Sequence, residues 1–258
     1  MSATPFFIQP YRFDDPTADD TSPMLDRQRA VVLEPGEEVL WRGQVNVTGY
    51  LVGPTGGSVG NGQAERRWTL PRYADVTITD RRLAYVCDDW DLARVGAPRH
   101  RSTPSFARPR PRRRPALGGG TRVATGQILW QWPWRLHLLP APGPQGVLIV
   151  CDSMRSNRRP ALMLAGGVAS DGRELALTVR RSIARFRLTN PDIVELSPRD
   201  RDALQLRAGS ALLLDELTDP QRGVALPGGL PVEFVNRDDY YHPAPVQQQW
   251  GLAGGGPA

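Results

Sequence analysis

The sequence predicts a mainly β fold that ends in a helix, and three observations carry that prediction. Two β-branched runs, Val76 to Thr79 and Leu83 to Val86, flank a polar Asp80-Arg81-Arg82 turn, the pattern of a β-hairpin. Short apolar runs of strand length recur at Gln127 to Trp132, Trp134 to Leu139, Val147 to Cys151 and Ala161 to Leu164. After the last of them Leu175, Val179, Ile183 and Phe186 recur at helical spacing, and Asn190-Pro191 stops the run.

Taken in order, residues 1–30 place Asp14, Asp15, Asp19 and Asp20 among Pro, Thr and Ser, too polar to bury a core, and are expected to form a disordered acidic tail. Its aromatic patch, Phe6, Phe7, Tyr11 and Phe13, reads either as an arm folded back on the core or as a docking motif. Pro35-Gly36-Glu37 is a turn feeding a short strand, Val39 to Trp41. A Gly-rich loop, 48–67, separates it from a strand near Trp68, and a second long loop, 96–126, follows the hairpin. Pro133 interrupts the next strands and marks a bend or an edge. Asp171 and Glu174 stand at capping-box spacing ahead of the helix, which is expected to dock its apolar stripe on the sheet and turn Arg173, Arg180, Arg181 and Arg187 to solvent. Ser197-Pro198 begins a helical extension within 191–219, interrupted by Gly209-Ser210. Pro, Gly and Gln dominate 220–258, a second expected tail.

Two of these segments carry a likeness to a known family. The opening Pro35-Gly36-Glu37-Glu38-Val39-Leu40-Trp41-Arg42-Gly43 followed by Thr79-Asp80-Arg81-Arg82-Leu83 resembles the start of bacterial PH-like and GRAM-like domains. The resemblance spans about residues 33–188 and implies a sandwich or split barrel of about seven strands over 31–190, closed by a C-terminal helix. Such domains bind lipid headgroups, peptides or their own copies. Phosphoinositide-binding members carry alternating basic residues between their first two strands; the corresponding interval here has the adjacent pair Arg66-Arg67 instead.

Composition removes several chemistries. Every basic residue is Arg, so no lysine Schiff base, P-loop lysine or Ser-Lys dyad can exist. Pro and Gly make up about a fifth of the chain, which assigns much of it to loops. Cys87 and Cys151 each end an apolar run and read as buried, reduced core residues. No apolar run reaches membrane-spanning length and the first residues lack a signal-peptide pattern, so the expected location is the cytoplasm, with peripheral attachment to a membrane as an option.

No catalytic, cofactor or metal site emerges. Gly56-Gly57-Ser58-Val59-Gly60 matches the G-x-S-x-G of hydrolases, but Pro54 precedes it and Asn61-Gly62 follows, where a nucleophile elbow needs a strand and a helix. A serine hydrolase is therefore a remote alternative. The three histidines and two cysteines show no metal-binding spacing, and Asp88, Asp89 and Asp91 lack the glycine and terminal glutamate of a calcium loop. The charge map says more. From Leu92 to Cys151 there is no acidic residue, while Arg94, Arg99, Arg101, Arg108, Arg110, Arg112, Arg113, Arg114, Arg122 and Arg135 add ten positive charges; a net charge of +5 leaves −5 on the remainder. Prolines between Arg108 and Arg114 hold that stretch extended, which suits a polyanion, or makes it a solubilising loop. The expectation is a non-catalytic binding or scaffolding module that contacts a protein partner or an anionic membrane surface through Arg99, Arg101, Arg108, Arg110, Arg112, Arg113 and Arg114. Nucleic acid is the alternative partner, weakened by the single aromatic, Phe106, in the loop. Trp130, Trp132 and Trp134 alternate on one face if their strand runs through Pro133, and read as core or as an interfacial belt.

Overall fold

The computed structural model describes residues 6–7, 9–10, 23–53, 64–70, 72–88, 123–139, 146–153, 158–166, 172–209 and 223–234. In chain order its elements are β1 (Phe6–Phe7), β2 (Gln9–Pro10), β3 (Val39–Val52), β4 (Ala64–Thr69), β5 (Ala74–Thr79), β6 (Arg82–Asp88), β7 (Val123–Leu129), β8 (Pro133–Leu139), β9 (Gly146–Cys151), β10 (Arg159–Ala165), α1 (Gly172–Thr189), α2 (Pro198–Ala208), β11 (Val224–Ala225) and β12 (Val232–Phe234). Among the described residues the protein is mainly antiparallel sheet with two helices. The sheet is open, running β1-β7-β6-β5-β3-β10-β9-β8-β11, with β4 also on β3 and a separate β12-β2 pair.

The spine is β3. Its first half pairs with β5, from Val39 opposite Thr79 to Val45 opposite Ala74; its second half lies between β4 and β10. The strand is far longer than the expected Val39 to Trp41, and continues past residue 48, where the Gly-rich loop was expected to begin. Pairing on both edges outweighs the entropic cost of Gly49, whose bareness is used: a Cβ there would stand 2.2 Å from the Trp68 ring. Val45 and Val47 turn inward to a core shared by Ile78, Tyr85, Ile149 and Leu162.

The hairpin forms as expected, and the two motif segments are locked together beneath it. Arg82 Nε and Nη2 donate to Glu37 Oε1 and Oε2, both at 2.8 Å, as a bidentate pair. The Thr79 hydroxyl donates to Oε1 and the Glu34 N–H to Oε2, each at 2.7 Å, and Arg82 Nη1 reaches Gln127 Oε1 at 2.8 Å. Burial pushes the Glu37 carboxyl up, but the hydrogen bonds from Arg82, Glu34 N–H and Thr79 outweigh it and hold the group below the ordinary glutamate range. At the turn, Arg81 donates to Glu34 Oε2 and to the Pro35 carbonyl, while Glu38 N–H donates to Asp80 Oδ1. The motif is thus a clasp between the start of β3 and the β5–β6 turn.

Helix α1 buries Leu175, Val179, Ile183 and Phe186 against β8 and β9, as its spacing predicts; an isolated helix of this length would be marginal in water without that docking. Asp171, the expected cap, lies outside the described residues. The outward placement of all four arginines is corrected: Arg180 and Arg187 are fully buried. Arg187 donates from Nε to the Trp130 carbonyl at 3.1 Å, from Nη1 to the carbonyls of Leu226 and Pro227 at 2.8 and 2.7 Å, and from Nη2 to that of Pro133. Burial pushes its guanidinium down from the usual arginine range, and the carbonyls solvate the charge that water would otherwise hold. Helix α2 starts where Ser197 caps it, its Oγ accepting the Asp200 N–H at 3.2 Å, and ends at Ala208 with Gly209 as its C-cap, while 210–219 of the expected extension lie outside the described residues.

The stretch expected as a C-terminal tail is in part structured. Val224, Leu226 and Val232 are core residues, and the amides of Leu226, Leu230 and Val232 donate to the carbonyls of Trp134, Gln131 and Asp152. At the other end, β1 pairs in parallel with β7, so part of the expected N-terminal tail is an arm on the sheet.

Candidate anion-binding surface

A site for an anionic partner needs guanidinium groups that are held in place yet not already matched by carboxylates. The seven arginines expected to supply them, Arg99, Arg101, Arg108, Arg110, Arg112, Arg113 and Arg114, lie outside the described residues, as do Gly56 to Gly60, Asp89 and Asp91. Their anchor points are described. Asp88 and Val123 are opposite one another in the β6–β7 ladder, so 89–122 leaves and returns at adjacent strand ends. The first half of β3 and β6 are both antiparallel to β5, so over that stretch they run parallel to each other. Val52 pairs with both Ala64 and Arg159, which brings the start of β10 to the same end of β3.

The three tryptophans separate. Trp130 and Trp132 are fully buried, so they are core and form no interfacial belt with Trp134. The strand does not run through Pro133: it breaks into a tight turn at 130–132, closed by Trp132 N–H to the Leu129 carbonyl at 3.1 Å, and Pro133 becomes the first residue of β8. Trp130 Nε1–H donates to the Thr79 carbonyl at 2.8 Å, tying the turn to the clasp.

Trp134 is different: it sits where the β8–β9 register shifts between Pro133 and Arg135, and it is half-buried. Two guanidinium groups stack on it: Arg135 Cζ lies 4.2 Å and Arg159 Cζ 4.1 Å from the ring centroid. Arg159 Nε donates to Asp152 Oδ1 at 3.2 Å, whereas Arg135 Nε is buried with no hydrogen-bond partner among the described residues. Burial, and then the positive charge of Arg159, push the Arg135 guanidinium below the usual arginine range. Sequence reading placed Arg135 in the acid-free span but missed Arg159 and Asp152, whose approach to Trp134 depends on the β8-β9-β10 register. The adjacent Arg158-Arg159 pair before an apolar run was the one local signal.

Other chemistry is sparse. Among the described residues no group of three His, Cys, Asp or Glu side chains could hold a metal ion. Cys87 and Cys151 are free and buried, and burial pushes the Cys151 thiol up, so it carries no thiolate nucleophile at neutral pH. An open depression of about 500 Å³ lies on the face of β3, lined by Gln44, Asn46, Arg72 and Tyr73. No helix among the described residues is long and apolar enough to cross a membrane. In comparisons with known proteins, no family model and no curated protein matches the chain.

Proposed function

We propose that the chain is a non-catalytic binding or scaffolding module of PH/GRAM-like type that contacts an anionic partner through its arginine-rich segment. The observation that carries the reading is the anchoring of 89–122 between paired residues Asp88 and Val123, at adjacent strand ends of the sheet. A rigid ladder that presents a long connection with no acidic residue after Asp91 is a platform for recognition. The fold part of the reading is supported by the succession of elements: four strands in the order β7-β6-β5-β3, three more in the order β10-β9-β8, then a helix docked across β8 and β9.

The experiment uses the full chain and a variant in which Arg108, Arg110, Arg112, Arg113 and Arg114 are Gln. Basic residues near an anionic lipid surface are worth about 1 kcal/mol each, so five give reversible attachment unaided by a pocket. Co-sedimentation with phosphatidylserine vesicles is expected for the parent chain, to weaken with salt, and to vanish in the variant. Binding indifferent both to salt and to the five substitutions would overturn the reading, as would hydrolase activity lost on Ser58→Ala.

A further inference from the structure

We propose that Trp134, Arg135 and Arg159 form a recognition site for a phosphoryl group, distinct from the arginine-rich segment. Both guanidinium carbons lie within 4.2 Å of one indole centroid, at 4.2 and 4.1 Å, so the two cations are at most 8.3 Å apart, the sum of those distances. That is close to the Debye length of about 8 Å at physiological salt, so the like charges repel with only partial screening. The indole holds both guanidinium groups close before any ligand arrives, which lowers the ordering cost of binding.

What the arrangement lacks is an anion for Arg135. Asp152 pairs with Arg159, and the neighbouring Arg158 pairs with Glu65, but no described carboxylate pairs with Arg135 and its buried Nε donates to nothing described. A half-buried cation beside a second cation is unfavourable as it stands, and an oxyanion received by Arg135 would relieve both the desolvation and the repulsion. A phosphoryl group has three terminal oxygens and up to two charges, enough to face two guanidinium forks at once, whereas a lone carboxylate is matched by one fork. The half-buried indole edge adds an apolar shoulder against which the remainder of a phosphorylated ligand can lie. The phosphoryl group can belong to a soluble phosphomonoester or to a lipid headgroup.

The test follows the indole N–H resonance of Trp134 in the ¹⁵N-labelled full chain, assigned with Trp134→Phe. Inorganic phosphate is the soluble probe, phosphatidic acid vesicles the lipid probe, and acetate at matched ionic strength the carboxylate control. A saturable shift with phosphate, at least tenfold weaker in Arg135→Gln and unchanged in Arg185→Gln, supports a soluble phosphoryl ligand. A response confined to the vesicles and lost in Arg135→Gln supports a lipid one. Should Arg135→Gln not fold, Arg135→Lys keeps the charge without the planar fork and is expected to weaken binding in the same direction. A resonance unmoved by both probes, with phosphate at about 10 mM, or moved equally by acetate, or moved equally in Arg135→Gln, overturns the proposal. The variant with five glutamines in 108–114 is expected to keep the phosphate response, so failure of this site and failure of the arginine-rich segment are told apart.

Discussion

Replacing Arg82 by Met tests the clasp that joins the two motif segments. The substitution keeps the apolar stem and removes the guanidinium, leaving the Glu37 carboxylate, whose side chain has no exposure, with only the Thr79 hydroxyl and the Glu34 N–H. Gln127 Oε1 and the Val32 carbonyl lose their donors in the same step. Breaking a buried ion pair by removing one partner costs about 3–5 kcal/mol, because the survivor's charge remains desolvated. On a domain of this size that lowers the melting temperature by about 6–20 °C. The double variant Glu37→Met/Arg82→Met is expected to be more stable than Arg82→Met alone, since it removes the stranded charge along with its partner.

The pH dependence separates this account from simple loss of packing. Glu37 is held below the ordinary glutamate value, so in the parent chain it contributes stability above that value, and the contribution disappears as pH falls through the lowered folded pKa. In Arg82→Met the carboxyl loses its cation while staying buried, its pKa rises, and protonation on acidification relieves the strain. The stability gap between the two proteins, measured by urea denaturation, is therefore expected to narrow from pH 7 to pH 4. A gap under about 1 kcal/mol at pH 7, or one that stays constant over that range, would refute the reasoning.

Three further outcomes follow from the packing. Ile183→Asp and Val179→Asp each place an unpaired charge in the core, and near-UV circular dichroism should show loss of the folded domain; a cooperative transition retained in both would mean that α1 does not hold the sheet. Gly228→Ala is expected to cost about 1–2 kcal/mol for its left-handed backbone, φ +78°, plus the clash of a new Cβ 2.6 Å from Val194, and an unchanged urea midpoint would count against it. Arg187→Met leaves four carbonyls without their donor; hydrogen exchange at the amides of Leu226 and Leu230 should accelerate ahead of the sheet, with partial recovery in Arg187→Lys, and unaltered protection there would show that the guanidinium does not fasten this segment.

What the sequence disclosed and what it hid divide along the range of the interactions involved. The hairpin, the Pro35-Gly36 turn, the Ser197 cap and the apolar stripe of α1 depend on neighbours a few residues away, and all were legible. The length of β3 was not, because it is set by β4, β5 and β10 pairing on its edges from up to about 120 residues downstream. Alternation of Trp130, Trp132 and Trp134 looked like a strand; the turn that replaces it is held by Arg81, Arg187 and Leu230, none of them local. Polarity sent Arg187 to solvent on paper, since a helical wheel cannot see carbonyls contributed by residues 130, 133, 226 and 227.

A chain whose basic residues are all arginine puts one side chain to several uses, and comparing them locates where an external anion can be received. Arg82 is neutralised by a carboxylate in bidentate contact, and a second anion there would have to displace Glu37. Arg187 has its donors on four carbonyls in a closed pocket, with no access from solvent. Arg135 has an indole face beneath it, a second cation beside it, and no carboxylate or carbonyl acceptor among the described residues. An indole offers a quadrupole worth about 0.5–2 kcal/mol, less than a partly buried guanidinium gives up in leaving water. The shortfall at Arg135 is what an arriving oxyanion can recover, and it is a property of the folded register of β8, β9 and β10 rather than of local charge density, so it persists when the arginine-rich segment is removed.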